Sequence, residues 1–195
     1  MAGCKDPSLA HHQPAHLPKR RVRHGWRWPY NFMEIETVKN IRIRKGEPRD
    51  IETMVTFLHH LFALEKDFAI DADKNRAGLQ LLLDDQRVRK IFVAETAGKV
   101  VGMVTAQIVV STSSGGYSLL LEDMYVDSGF RRKAIGTKLL KQVLVWGSGQ
   151  GADRVQLVAD VTNIGALMFY WQAGLLTSRM TALYGTLDAI NKKIT

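Results

Sequence analysis

The sequence predicts an α/β (α+β) fold, a mixed and mainly antiparallel central sheet with helices on both faces, in the order β-α-α-β-β-β-α-β-α-β. Three observations carry this. Valine-rich apolar runs at residues 91–95 and 100–110 are joined by Thr96, Ala97, Gly98 and Lys99, a hairpin signal. Other stretches follow a helical period, with Ile51, Met54, Val55, Leu58 and Phe62 recurring on one face. A further apolar run at residues 119–126 passes directly into a basic, small-residue turn and an amphipathic helix.

Each element has a local reason. Residues 35–44 read as a strand that Gly46, Glu47 and Pro48 break, and the proline suits the first turn of a helix over residues 49–66. After an acidic loop, Leu79, Leu82 and Leu83 mark a shorter second helix. The two hairpin strands follow, and a loop from Ser111 to Gly116 leads to a third member of the meander at residues 117–126. Ile135, Leu139, Val143 and Trp146 mark the next helix, which Gly147, Gly149 and Gly151 are expected to terminate. Residues 155–159 read as a buried strand, Asn163 opens a helix that stops at Gly174, and residues 176–187 read as a last strand or hairpin.

With 195 residues, 46% of them apolar and 24% charged, the chain can bury one sizeable core, assigned to a domain over residues 33–195. Residues 1–32 differ in kind. Lys5, Lys19, Arg20, Arg21, Arg23 and Arg27 face a single acid, Asp6, so this segment holds most of the formal net charge of +8. Rich in proline and histidine and without a sustained period, it reads as a disordered basic arm or dispensable extension. Short charge runs are usually solvated, so nucleic acid is not an expected partner. No apolar run approaches the roughly 20 residues of a membrane span, and the lone Cys4 forms no internal disulfide, so a soluble, cytoplasmic protein without membrane contact is expected. His59 and His60 are adjacent on a helix and point apart, and no metal is expected.

The turn after residue 126 carries the clearest chemistry. Arg131, Arg132, Lys133, Ala134, Ile135, Gly136 and Thr137 join a strand end to a helix start. Unpaired N–H groups, the helix dipole and small side chains let an anionic group approach the main chain there. This predicts a nucleotide-like coenzyme bearing a pyrophosphate.

The stretch from Glu122, Asp123, Met124, Tyr125 and Val126 through Phe130 to Thr137 resembles the acetyl-coenzyme A motif of the GNAT superfamily of N-acetyltransferases. Asn163, Ala166 and Tyr170, followed by Gly174 and Leu175, resemble the second signature of that superfamily. Ala134 stands where the first motif usually has glycine, and Leu175 where the second has phenylalanine. The resemblance implies the GNAT fold, acetyl-coenzyme A as cosubstrate, and direct acetyl transfer to a primary amine within a ternary complex. It implies that main-chain groups of Met124 and Val126 pair with the pantetheine arm, that amides of residues 131–137 hold the pyrophosphate, and that Asn163 belongs to the cofactor site. Tyr170, protonated at neutral pH, is then the donor to the departing thiolate.

An amine acceptor with a pKa near 10.4 is only about 0.04% neutral at pH 7, so a general base is useful. Glu122 is expected to fill that role, with burial raising its pKa, and its spacing places it on one strand face with Met124 and Val126. Asp123 and Glu65 are the candidate substrate-binding acids, within an acidic region that includes Asp67, Asp71, Asp73, Asp84 and Asp85. The triplet Leu121, Glu122 and Asp123 resembles the diamine and polyamine acetyltransferase branch, which implies a small cationic amine, although an ordinary solvated helix surface accounts equally well for the acids. A homodimer is implied by the resemblance alone. The alternative is a non-catalytic acyl-CoA-binding or regulatory protein of this fold whose basic arm contacts nucleic acid or another partner.

Overall fold

The computed structural model describes residues 40–64 and 70–194. The chain runs β1 (Arg42–Lys45), a 3-10 turn (Pro48–Asp50), α1 (Ile51–Phe62), α2 (Ala72–Asp84), β2 (Arg89–Thr96), β3 (Lys99–Ser111) and β4 (Gly116–Val126). After a second 3-10 turn (Ser128–Phe130) come α3 (Ile135–Gly149), β5 (Ala152–Gln156), α4 (Ile164–Gln172) and α5 (Leu187–Ile194). Five strands form one sheet in the order β1-β2-β3-β4-β5, antiparallel throughout except where β5 lies parallel to β4. A parallel pair needs a crossover, and α3 supplies it. The expected α/β fold, with its mainly antiparallel sheet and helices on both faces, is what forms.

The hairpin between β2 and β3 closes on Ala97 (φ 47°) and Gly98 (φ 74°), both left-handed, the two-residue geometry that matches strand twist. Adjacent residues of β2 then bury on opposite faces. Ile91 and Val93 join α1 and α2 in one core with Met54, Leu58 and Leu79, whereas Phe92 and Ala94 join α3 in a second core with Ile135, Leu139 and Val143. Both faces of the sheet are covered, which is why these strands read as continuous apolar runs. At the start of α1, the buried Asp50 accepts from Arg44 at 2.6 and 2.8 Å and from the Glu47 N–H at 2.9 Å, tying β1 to the helix entry. No helix among the described residues is long and apolar enough to cross a membrane.

The structure corrects several expectations. The first helix ends at Phe62 rather than continuing to residue 66. The strand expected at 155–159 is β5, three residues earlier, and it is an edge strand that is mostly exposed rather than buried. No strand forms at residues 176–187. Leu176, Met180 and Leu183 have the right composition but stay about nine-tenths exposed, and α5 begins at Leu187. A strand exists only by pairing, and no second strand lies along the outer edge of β5 among the described residues. Residues 1–39, with the basic arm and half of the expected first strand, lie outside the described residues.

Gly147 does not end α3. The helix continues to Gly149, and Gly151 (φ 83°) makes the turn. Gly147 is needed because a Cβ there would sit 2.8 Å from a methyl of the buried Leu119, so the helix rests directly on β4. Gly147→Ala is therefore expected to lower stability by on the order of 1 kcal/mol, the overpacking cost exceeding the helix-propensity gain, or about 2–4 °C in Tm. Gly149→Ala, with nothing within 4 Å of its Cβ, should leave Tm unchanged or raise it in the same thermal melt.

Candidate active site

Pairing between β3 and β4 slips by one residue in the middle of the sheet. Ala106 faces Leu121 and Val104 faces Met124, so Glu122 and Asp123 together oppose Thr105. The fully buried Thr105 hydroxyl donates to the Asp123 carboxylate at 2.9 Å and accepts from the Asp123 N–H at 3.0 Å. The bulge resets the alternation of β4. Met124 and Val126 pack with Leu121 on the α3 side, whereas Glu122, Asp123 and Tyr125 share the α1 and α2 side. The expectation that Glu122 shares a face with Met124 and Val126 is thus overturned, because simple alternation does not survive a bulge.

On the α1 and α2 side lies a cleft of about 450 Å³, a size suited to a small ligand. Leu58 and Phe62 of α1 and Leu79 and Leu82 of α2 form apolar walls over Glu122 and Asp123. Glu122 is exposed and accepts from Gln107 Nε2 at 3.3 Å, so the burial expected of it is absent. Asp123 is the carboxyl that the fold perturbs. Burial pushes its pKa up, the Thr105 hydrogen bond partly opposes this, and the like charge of Glu122 adds to it. Glu65, the other acid expected at the substrate, lies outside the described residues.

The α3 side carries the turn expected to hold an anion. Asp127 starts it, its side chain accepting from the Gly129 N–H at 3.2 Å and its carbonyl from the Phe130 N–H at 2.8 Å. Arg132 (φ 59°) and Ala134 (φ 58°) are both left-handed, a pattern that turns successive N–H groups into one concavity. Lys138 is the first residue whose N–H bonds within α3, to the Ala134 carbonyl at 3.0 Å. The amides of residues 132–137 precede it and have no acceptor among the described residues. Lys133 Nζ stands 5.7 Å over the Phe130 ring. Arg131 departs from the rest of the cradle, because its amide donates to Ser128 O at 3.4 Å and its side chain turns back to the Val126 carbonyl at 2.9 Å. Its guanidinium lies 5.5 Å over the Tyr125 ring, whose hydroxyl is 3.2 Å from His60 Nδ1.

The departure at Ala134 now has a physical reading. Glycine favours that position because the backbone is left-handed, and a Cβ there carries a strain of about 1–2 kcal/mol. Gly136 serves close packing instead. A Cβ on it would lie 3.4 Å from Met124 Cε and 3.5 Å from Phe169, so the start of α3 sits against β4 and α4.

Asn163 caps α4, its side-chain oxygen accepting from the Ala166 N–H at 3.1 Å, which leaves its amide group to offer a ligand. One turn before the end of that helix, the Tyr170 hydroxyl points at Met124 Sδ at 3.7 Å. Parallel pairing of β5 with β4 ends at Leu120 and Gln156, so from Leu121 onward the outer edge of β4 has no strand beside it among the described residues. That open edge joins the two sides of the sheet, with Tyr170 and the amide cradle on one and Asp123 and Glu122 on the other. Thr105, Gln107 and Phe169 were not among the expected residues. Thr105 left one signal, a lone hydroxyl near the centre of an apolar strand.

The amide cradle suits a pyrophosphate, and the basic residues around it suit its charge. Residues 55–175 match the family model described as Acetyltransferase (GNAT) family. N-acetyltransferase 8 of Rattus norvegicus is 35% identical over 83 residues, which are 43% of this chain and 37% of that relative, so the match spans well under half of the relative's length. A transcriptional regulator from Bacillus halodurans C-125 has the same fold, with a TM-score of 0.67 and 21% identity, covering 75% of this chain and 100% of that one. An aminoglycoside N-acetyltransferase solved in complex with CoA does so with a TM-score of 0.65 and 17% identity, covering 76% of this chain and 95% of that one. On the family match across most of its length, the chain belongs to the GNAT family of acetyltransferases.

Proposed function

We propose that the protein is an N-acetyltransferase that moves an acetyl group from acetyl-coenzyme A to a primary amine by direct attack within a ternary complex. The observation that supports this reading is the open β4 edge, with an amide cradle and a phenol on one side of the sheet and a carboxyl whose pKa is raised by burial on the other. Acetyl-coenzyme A supplies the activated acetyl group as a thioester. The amides of residues 132–137 and the helix dipole of α3 hold the pyrophosphate, and the main chain of Met124 and Val126 lines the path of the pantetheine arm. The Val126 carbonyl carries the Arg131 side chain, so Arg131 must yield that bond if the arm is to use it.

The acceptor enters through the cleft as a small ammonium ion and meets the exposed carboxylate of Glu122. Asp123 takes the proton that makes it a nucleophile, and Tyr170 returns a proton to the departing sulfur. Asp123 thus takes the role expected of Glu122, because basicity follows burial. The homodimer implied by the family resemblance belongs to the same reading, and the exposed Leu176, Met180 and Leu183 offer it a surface.

Turnover, read as thiol release across a panel of primary amines, tests the roles. Tyr170→Phe and Asp123→Asn are each expected to lower kcat by about 100-fold or more, with coenzyme affinity within a few-fold of wild type. Unchanged turnover in both variants would overturn the assignments. Because Asp123 must be ionised to act, kcat/KM should rise with pH through an acid limb above the ordinary carboxylate value near 3.9. Glu122→Gln removes a like charge and should move that limb to lower pH. Ala134→Gly relieves the left-handed strain and should raise Tm by about 2–4 °C, corresponding to roughly 1 kcal/mol. Acetyl-coenzyme A at 100 times its Kd should add about 2.7 kcal/mol to the stability of either protein.

A further inference from the structure

The cleft carries positive as well as negative side chains, and the two signs are separated across the sheet. Glu122 and Asp123 are neighbours on one bulge and so serve one end of a ligand. Arg89 pairs in register with Gln107, and Gln107 with Leu120, which places Arg89 two strands across, about 10 Å from Leu120 and farther from Glu122 and Asp123 along β4. Arg89, Gln107 and Glu122 all line the cleft, with apolar walls between its two ends. Arg89 is partly buried, and one guanidinium N–H donates to the exposed Leu81 carbonyl at 2.8 Å, which orients the group. Among the described residues no carboxylate lies within ion-pair distance of it. Asp85, the nearest source of negative field, is paired with Arg87 at 3.2 Å. Lys74, also at the cleft, is exposed and paired with Asp71 at 3.2 Å.

Resting on the acetyl-transfer reading above, the geometry points to an acceptor with a primary amine at one end of an apolar spacer and a carboxylate at the other, the amine directed to Glu122 and Asp123 and the carboxylate to Arg89. A guanidinium that forms no salt bridge is a ready partner for a carboxylate, which it can engage with two parallel N–H donors. A second ammonium at that end would meet like charge in a partly desolvated site. This separates the chain from a diamine or polyamine enzyme, which needs carboxylates at both ends of its cleft.

Three six-carbon acceptors that differ only at the far end test this: ε-aminocaproate, hexylamine and hexamethylenediamine. With the full chain and saturating acetyl-coenzyme A, kcat/KM is expected to be at least tenfold higher for ε-aminocaproate than for hexylamine, and lowest for the diamine. Arg89→Gln should bring ε-aminocaproate and hexylamine within about twofold of each other, and Arg89→Lys should restore part of the preference. A diamine preference, or a ratio that survives in Arg89→Gln, would overturn the proposal. If none of the three is acetylated although acetyl-coenzyme A binds, the transfer reading fails separately. The charge preference is then decided by thermal shift at equal millimolar acceptor with CoA present. Stabilisation by ε-aminocaproate that vanishes in Arg89→Gln upholds the Arg89 site, and equal shifts for all three ligands reject it.

Discussion

Glu122 and Asp123 share a single opposing residue on β3, and the Thr105 hydroxyl takes up both the amide and the carboxylate that this mismatch would otherwise leave unsatisfied. A buried polar group without a partner costs about 1–3 kcal/mol, so the threonine is what makes the bulge tolerable in the middle of an apolar sheet. Everything chemical in the site depends on it. Were β4 a regular strand through residues 122 and 123, Met124 would turn toward the cleft and Tyr125 toward α3, and the amide cradle would lose the side chain against which Gly136 packs. With it, one short strand presents two acids to one side and an apolar seat for the helix start to the other.

The turn of residues 132–137 carries backbone strain and amides without acceptors. Two non-glycine residues, Arg132 and Ala134, adopt left-handed backbone within three positions, and six successive amides find no acceptor among the described residues. Strain and unsatisfied donors of this kind persist only where surrounding structure holds them, here by the burial of Ile135 and Leu139 and by the contact of Gly136 with Met124 and Phe169. The same donors are what a pyrophosphate needs, so the local cost and the binding capacity have one origin.

The two carboxyls differ although they are adjacent. Asp123 is lifted by burial and by its neighbour, whereas Glu122 stays exposed beside Gln107. The difference follows from depth rather than from residue type, and Arg89 across the sheet gives the cleft a positive side chain. A polar cleft with apolar walls favours an acceptor whose charges match the spacing of those side chains.

Much of this could be read from the residues in order. The hairpin at Ala97 and Gly98, the helical face from Ile51 to Phe62, the cap at Asn163 and the basic turn before α3 are local features, governed by short-range sterics and periodicity. They determined the fold class and the turn of free amides before α3. What needed the folded chain was everything set by pairing and contact over distance. The bulge, and with it the face of Glu122, arises from register against β3. The roles of Gly147 and Gly136 arise from contacts with Leu119 and with Met124 and Phe169, and a strand at residues 176–187 fails to form for lack of a neighbouring edge to join. Backbone preference acts within a few residues and is written in the sequence, whereas burial, register and pKa depend on which distant groups come to lie alongside, and only tertiary packing decides that.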